Sequence, residues 1–260
     1  MVSRSVARYL GGGSVLAVAC VVNYRIGTAG WTVPPGHGGE GTHLQRYSRC
    51  FNVVELNSSF YRPHQRKTYA RWADSVPPEF RFSVKLPKLM THERRLRRCR
   101  LEAMDFLDQV SGLKEKLEVL LVQLPPSLEF ERRCAAAFFR LFSGLGGAQI
   151  VCEPRHLSWF APRADDMLEE LRVARAAADP AIVAAAASAG GHREFAYYRL
   201  HGSPKMYYSS YPPHFLAAVA DCMAARSRAG RSTWCIFDNT AARAAWSNAS
   251  DLQNQLVPTS

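Results

Sequence analysis

Short apolar, β-branched runs recur along this chain, each followed by a longer segment of helical character, and that alternation restricts its fold more than any other feature. The runs are "YRIGTA" (24–29), "NVVELN" (52–57), "RFSVKL" (81–86), "EVLLVQL" (118–124), "AQIVCE" (148–153), a weaker "RVARAAA" (172–178), "FAYYRLH" (195–201) and "TWCIFDN" (233–239). Helical segments fall between them at 42–50, 65–75, 100–112, 131–143, 162–171, 212–227 and 240–253. Strands buried on both faces and joined by helices make a parallel sheet. Eight such units in 260 residues match the size of one α/β barrel, about 250 residues. The expected domain runs from 24 to 255. Its sixth unit is degenerate, because the Ala-rich stretch 173–189 offers no assignable helix.

Period-two alternation then places the polar residues. Residues i and i+2 of a strand share a face. Glu55 shares one with Val53 and Asn57, Lys85 with Ser83, Gln123 with Leu121, and Glu153 with Val151 and Arg155. Arg199 shares one with His201, and Asp238 with Ile236 and Trp234. Five or six strands therefore bring a polar group to their C-terminal ends. Catalytic groups of α/β barrels sit at that end, so a ring of polar side chains is expected at one mouth.

Seven segments, in order, carry a family signature: "IGTAGW" (26–31), "VVELNSSFYRP" (53–63), "FSVKLPKLMTH" (82–92), "LLVQLPPS" (120–127), "CEPRHLSW" (152–159), "YYRLHG" (197–202) and "IFDNT" (236–240). Together they closely resemble the YecE-like family, a domain of unknown function, from about residue 24 to 253. The resemblance implies a TIM-like (β/α) barrel and no established reaction. The sixth unit is shorter than the family pattern, which leaves the place of Asp179 in the site open.

Glu55 and Glu153 are the candidates for proton transfer, since one carboxyl near a cation stays ionised while one in a less favourable setting is driven towards protonation. The alternative is that both are structural and tied to Lys85, Arg155 or Arg199. These cations suit an anionic substrate, arginine through its planar fork and lysine as a point charge. His92, His156 and His201 follow or end strands and add acid–base capacity. His201 and Asp238 join the two glutamates as catalytic candidates. Asn57, Tyr61, Lys85, His92, Gln123, Arg155, His156, Arg199 and Asn239 are the candidates for binding substrate. A divalent metal on these carboxylates and imidazoles is the one cofactor considered, although no HExxH-type spacing supports it. The remaining histidines (37, 43, 64, 192 and 214) are expected on the surface. Trp31, Phe60, Tyr61, Trp159, Tyr207, Tyr208 and Tyr211 fall in loops past strand ends, where rings stack on planar groups or close the barrel top. "GSPKMYYSSYP" (202–212) has the length of a lid. Phosphate-loop and nucleophile-elbow motifs are missing.

The leading expectation is acid–base or metal-assisted hydrolysis of a polar anionic substrate, a phosphate ester among them, at the C-terminal mouth. The rival is a noncatalytic nucleic-acid-binding module. It rests on a formal charge of +11 and on "ERRLRRCR", which holds Arg94, Arg95, Arg97, Arg98 and Arg100. The alternative for that cluster is a solvated helix face. A third possibility is a small-ligand binder whose mouth recognises without reacting.

The seven cysteines form no CxxC pair, which points to free thiols in a reducing cytoplasm rather than a disulfide framework or zinc site. No run reaches the roughly 20 apolar residues of a membrane span. Residues 1–23 are expected to be an extension outside the domain. Arg4 and Arg8 ahead of "VLAVACVV" make an export signal the alternative.

Overall fold

Helices and strands alternate along the chain from Tyr24 to Leu256 in a computed structural model, which describes residues 23–142 and 147–256. Apart from Asn23, the expected extension and its alternative as an export signal lie outside the described residues. The first half comprises β1 (Tyr24–Ala29), α1 (His43–Ser48), β2 (Val53–Leu56), α2 (Ser58–Tyr61), α3 (Arg66–Asp74), β3 (Arg81–Lys85), α4 (Arg100–Val110) and β4 (Leu117–Gln123). Then come α5 (Arg132–Phe139), β5 (Gln149–Glu153), α6 (Pro162–Glu170), β6 (Ala174–Arg175), β7 (Ala177–Asp179) and β8 (Gly190–Gly191). The chain finishes with β9 (Phe195–Leu200), α7 (Pro213–Arg228), β10 (Ser232–Phe237) and α8 (Ala244–Leu256).

Among the described residues ten strands form one sheet, ordered β7-β9-β10-β1-β2-β3-β4-β5-β6-β8. All pairs are parallel except β6 with β8. The two ends of this order meet in one stretch of chain. Ala174 and Arg175 pair with β5, while Ala177 to Asp179 pair with β9. Only Ala176 separates them, and its N–H donates to Cys152 O at 2.8 Å. The sheet thus closes into an α/β barrel with eight strand positions, the sixth split in two.

Alternation sorts the core into two parts. Val53, Leu121, Val151, Tyr197, Trp234 and Ile236 belong to a cluster inside the barrel, whereas Val54, Leu120, Cys152 and Phe237 join the shell packed against the helices. Burying an aliphatic side chain of this size contributes about 1.5–3 kcal/mol. The strands therefore cannot shift by one residue without exchanging the two layers.

The sixth unit has no helix after its strand, only a 3-10 turn at Ala184–Ala187. Arg175 compensates for the missing element. It is buried, donates to Asp165 Oδ1 and Oδ2 at 2.7 and 3.1 Å, and holds the Ala185 and Ser188 carbonyls at 2.9 and 3.2 Å. Gly191 completes the turn with φ +60°, where a Cβ would lie 2.3 Å from Val173 O. Only glycine suits both demands.

Candidate active site at the barrel mouth

Arg199 is the centre of the site. It ends β9 facing inward and is fully buried. Its Nε and Nη2 donate to Glu55 Oε2 and Oε1 at 2.9 and 2.5 Å, a two-pronged grip. Nη1 reaches Glu153 Oε2 at 2.6 Å and Nη2 reaches Asp238 Oδ2 at 3.0 Å. One guanidinium thus ties together the ends of β2, β5 and β10. A planar fork with five donors can serve three carboxylates at once, which an ammonium cannot.

His201, two residues on and also fully buried, completes the network. Its Nδ1 is 3.0 Å from Asp238 Oδ2, and its Nε2 is 3.0 Å from Glu153 Oε1 and 2.8 Å from Arg155 Nη2. Nε2 cannot donate to Glu153 and accept from Arg155 at the same time. A neutral ring with the proton on Nδ1 accepts from Arg155; a protonated ring donates to both carboxylates. Arg155 also grips Glu153 Oε1 at 2.5 Å.

The charges settle the protonation of the acids. Burial opposes ionisation of Glu153, but Arg199, Arg155 and His201 outweigh it and hold the carboxyl well below its ordinary value. Asp238 is held down against its burial by Arg199 and His201. Below them Tyr197 OH donates to Glu55 Oε2 at 2.8 Å and lies 2.9 Å from Ser83 Oγ. Burial and Glu55 push the Tyr197 phenol well up, so it remains a donor. Both Glu55 oxygens are thus held, by Arg199 and Tyr197.

Lys85 differs from the other cations. It ends β3, and among the described residues no carboxylate lies within ion-pair distance of its Nζ, which sits 4.1 Å from the centre of the Phe60 ring. Burial and the Arg199 charge lower its pKa to about 8. His92, edge-on to Phe60 at 5.0 Å, is held below its ordinary value by burial and by Lys85 and Lys88. Its imidazole is therefore neutral at pH 7.

Six of the expected site residues come together: Glu55, Glu153, Arg155, Arg199, His201 and Asp238, with Lys85 in electrostatic reach. Gln123 stands beside Glu153 in register, half-buried. Asn57 caps the start of α2, and among the described residues its buried Oδ1 has no partner. The rest have other work. Tyr61 is 82% exposed and packs against Phe60 outside the network. His156 accepts from Ser158 N–H and caps a 3-10 turn. Asn239 donates to Ser209 O and Asn248 Oδ1, and so holds the 202–212 loop to α8.

That loop is pinned. Tyr211 OH donates to Asp179 Oδ1 at 2.8 Å and accepts from Gly202 N–H at 2.8 Å, which gives Asp179 a loop-fastening role. Tyr207 lies edge-on to His201, ring centres 5.8 Å apart. Trp159 is buried, with Nε1 donating to Leu128 O, and Trp31 packs edge-on against Trp72. His192 is buried, contrary to the expected surface position, because the β8 turn folds it under Val173 O.

A divalent metal does not fit these residues. Among the described residues no group of three or more His, Cys, Asp or Glu side chains is disposed to hold one. Here Arg199 occupies the position between the carboxylates. The residues that sequence reasoning missed are Tyr197 and, as a bonded partner, Ser83. Period two from Arg199 reaches Tyr197, but "FAYYRL" reads as an ordinary apolar strand.

The sequence profile described as "Protein of unknown function DUF72" matches residues 25–260. The chain belongs to the DUF72 family. UPF0759 protein YecE of Escherichia coli K12 is 31% identical over 137 residues, 52% of this chain and 50% of that protein. UPF0759 protein YunF of Bacillus subtilis is 29% identical over 147 residues, 53% of this chain and 52% of that protein. The chain thus spans about half the length of these curated relatives. Crystal structures of DUF72 proteins share the fold. One from Enterococcus faecalis V583 superposes with TM-score 0.76 at 19% identity, covering 91% of this chain and 96% of that one. Another, from Thermotoga maritima MSB8, has TM-score 0.73 at 22% identity, covering 90% and 98%.

Proposed function

We propose that this DUF72 barrel is an enzyme that binds a polar anionic substrate, such as a phosphate ester, at its C-terminal mouth and hydrolyses it by acid–base chemistry. The observation that carries the reading is the contrast at the mouth between Lys85, a cation without a carboxylate partner, and His201, an imidazole held between two carboxylates. Arg155 and Arg199 are each paired with a carboxylate, whereas among the described residues Lys85 has none within ion-pair distance, which leaves it as countercharge for an anion. Among the described residues three buried polar atoms just past strand ends, Asn57 Oδ1, Arg155 Nε and Asn239 Oδ1, have no hydrogen-bond partner, and they support a ligand there.

Proton transfer falls to His201. Asp238 accepts from Nδ1 and orients the ring, and Nε2 serves as a general base once Arg155, which donates to it in the neutral ring, turns from it to the substrate. Glu153 receives Nε2–H in the protonated state, which stabilises the imidazolium. Glu55 and Tyr197 fix Arg199, and Arg199 fixes both acids. The carboxylates thus orient rather than donate, because their low pKa values keep them ionised at neutral pH.

No helix among the described residues is long and apolar enough to cross a membrane. The six described cysteines are all free, which supports a reducing compartment such as the cytoplasm.

The test is turnover of a panel of phosphate monoesters by the full chain, with metabolites extracted from the freshly purified protein as a guide. Wild type is expected to release phosphate from at least one. His201→Ala should abolish turnover, whereas Lys85→Met should raise KM more than it lowers kcat. Sulfate, whose charge is constant across the range, should bind about tenfold more weakly per pH unit above about 8, as Lys85 loses its proton. No turnover together with pH-independent sulfate binding would overturn the reading.

A further inference from the structure

The loop after β3 carries the arginine cluster, and it is not a helix face. Residues 94–99 form an irregular connection between a π-helical turn (Leu89–Glu93) and α4. Arg95, Leu96 and Arg98 have φ of 52°, 68° and 51°. Each left-handed residue with a side chain costs about 1–2 kcal/mol, so tertiary contacts must hold this shape. Leu96 is buried as an anchor, Cys99 is buried behind it, and Leu96 N–H donates to Met90 O at 2.9 Å. Arg95 donates to Ser127 Oγ and O at 3.0 and 2.8 Å, tying the loop to the one that follows β4.

The result is a rigid backbone with guanidiniums directed outward. Arg94 pairs with Glu102 at 2.6 Å and Arg97 pairs with Glu131. Arg98 and Arg133 are exposed, and among the described residues neither side chain has a hydrogen-bond or carboxylate partner. Both line the same open depression of about 880 Å³, together with Arg94, Arg97 and one carboxylate, Glu131. A second depression of about 300 Å³ adjoins it, sharing Leu96, Arg97, Glu131 and Cys134 and adding Arg95 and Ser127. Across the two depressions five guanidiniums face two carboxylates, Glu129 and Glu131, along a trough with an apolar floor of Leu96, Cys134 and Ala137.

We infer that this trough, formed by the loop after β3 and helix α5, is a binding surface for the phosphate backbone of a nucleic acid. An open trough with arginines along it suits an extended polyanion better than a small enclosed anion. The guanidinium fork matches phosphate oxygens in pairs. Arg98 and Arg133 supply the uncompensated charge, while Arg94 and Arg97 are held in place by their glutamates. The charge of +11 favours the encounter. The surface is independent of the proposed chemistry at the mouth.

The test is fluorescence anisotropy with the full chain and a labelled single-stranded 20-mer, repeated as RNA and as DNA, between 50 and 300 mM KCl. Wild type is expected to bind with strong salt dependence. Arg98→Gln with Arg133→Gln should lower the slope of log K against log salt by about 1.4, two contacts at about 0.7 each for a single strand. The same variant should weaken binding at least tenfold at 100 mM salt with an unchanged thermal midpoint. It should leave sulfate binding at the mouth unchanged, and Lys85→Met should leave oligonucleotide binding unchanged. An unaltered slope in the double variant would overturn the inference. So would wild-type binding to polyglutamate or to anionic vesicles as tight as to the oligonucleotide.

Discussion

The barrel mouth and the loop after β3 are both dense in charge and treat it in opposite ways. At the mouth Arg199 is fully buried and serves three carboxylates, so little is left for solvent or salt to screen. In the loop, Arg97 and Glu131 pair with side chains 65% and 52% exposed, and Arg98 and Arg133 pair with nothing described. Buried charge that is fully partnered fixes geometry and is costly to disturb. Exposed charge contributes little to stability and remains available to a partner.

The largest expected effect comes from removing the hub. Arg199→Met leaves Glu55, Glu153 and Asp238 buried without their cation and should cost about 3–5 kcal/mol in urea denaturation. A loss as small as that of a loop arginine would erase the distinction between the regions. Glu55→Gln keeps the shape and removes one charge, and should cost about 1.5–3 kcal/mol, the worth of hydrogen bonds to a charged group.

Acid sharpens the contrast further. Glu153 and Asp238 are depressed below their ordinary values of 4.5 and 3.8. Their stabilisation is therefore complete above those values and is lost as pH falls below them towards the folded-state values. Thermal midpoints measured from pH 7 to pH 3 should fall, and Glu153→Gln with Asp238→Asn should flatten that fall even if its midpoint at pH 7 is lower. The smallest effect is expected in the loop, where Arg97→Ala should change stability by no more than about 1 kcal/mol.

Much of this was legible in the chain. Alternation alone put Val53 and Glu55, Val151 and Glu153, and Ile236 and Asp238 on common inner faces, since a strand has only two sides. What it could not choose was the partner of each acid. Lys85, Arg155 and Arg199 were equivalent candidates, but the pair that forms joins Arg199 to Glu55 across 144 residues. Local pattern carries no information about a contact of that span. Likewise, the guanidinium that lies between the carboxylates comes from a distant strand. The charge of the arginine cluster is legible in the sequence but its shape is not: Leu96 is buried among arginines with its N–H on Met90 O, while Arg95 ties the loop to the one after β4.

By itself the sequence determined the order of strands and helices, the barrel class and the inward face of each strand, all of which follow from short-range periodicity and burial. The closure through residues 174–179, the choice of Arg199 as hub over Lys85, and the placing of Lys85 beyond ion-pair distance of any described carboxylate were decided only in the tertiary structure. Each depends on which strand ends meet across the barrel, and on the strength of charge pairing once water is excluded from between them.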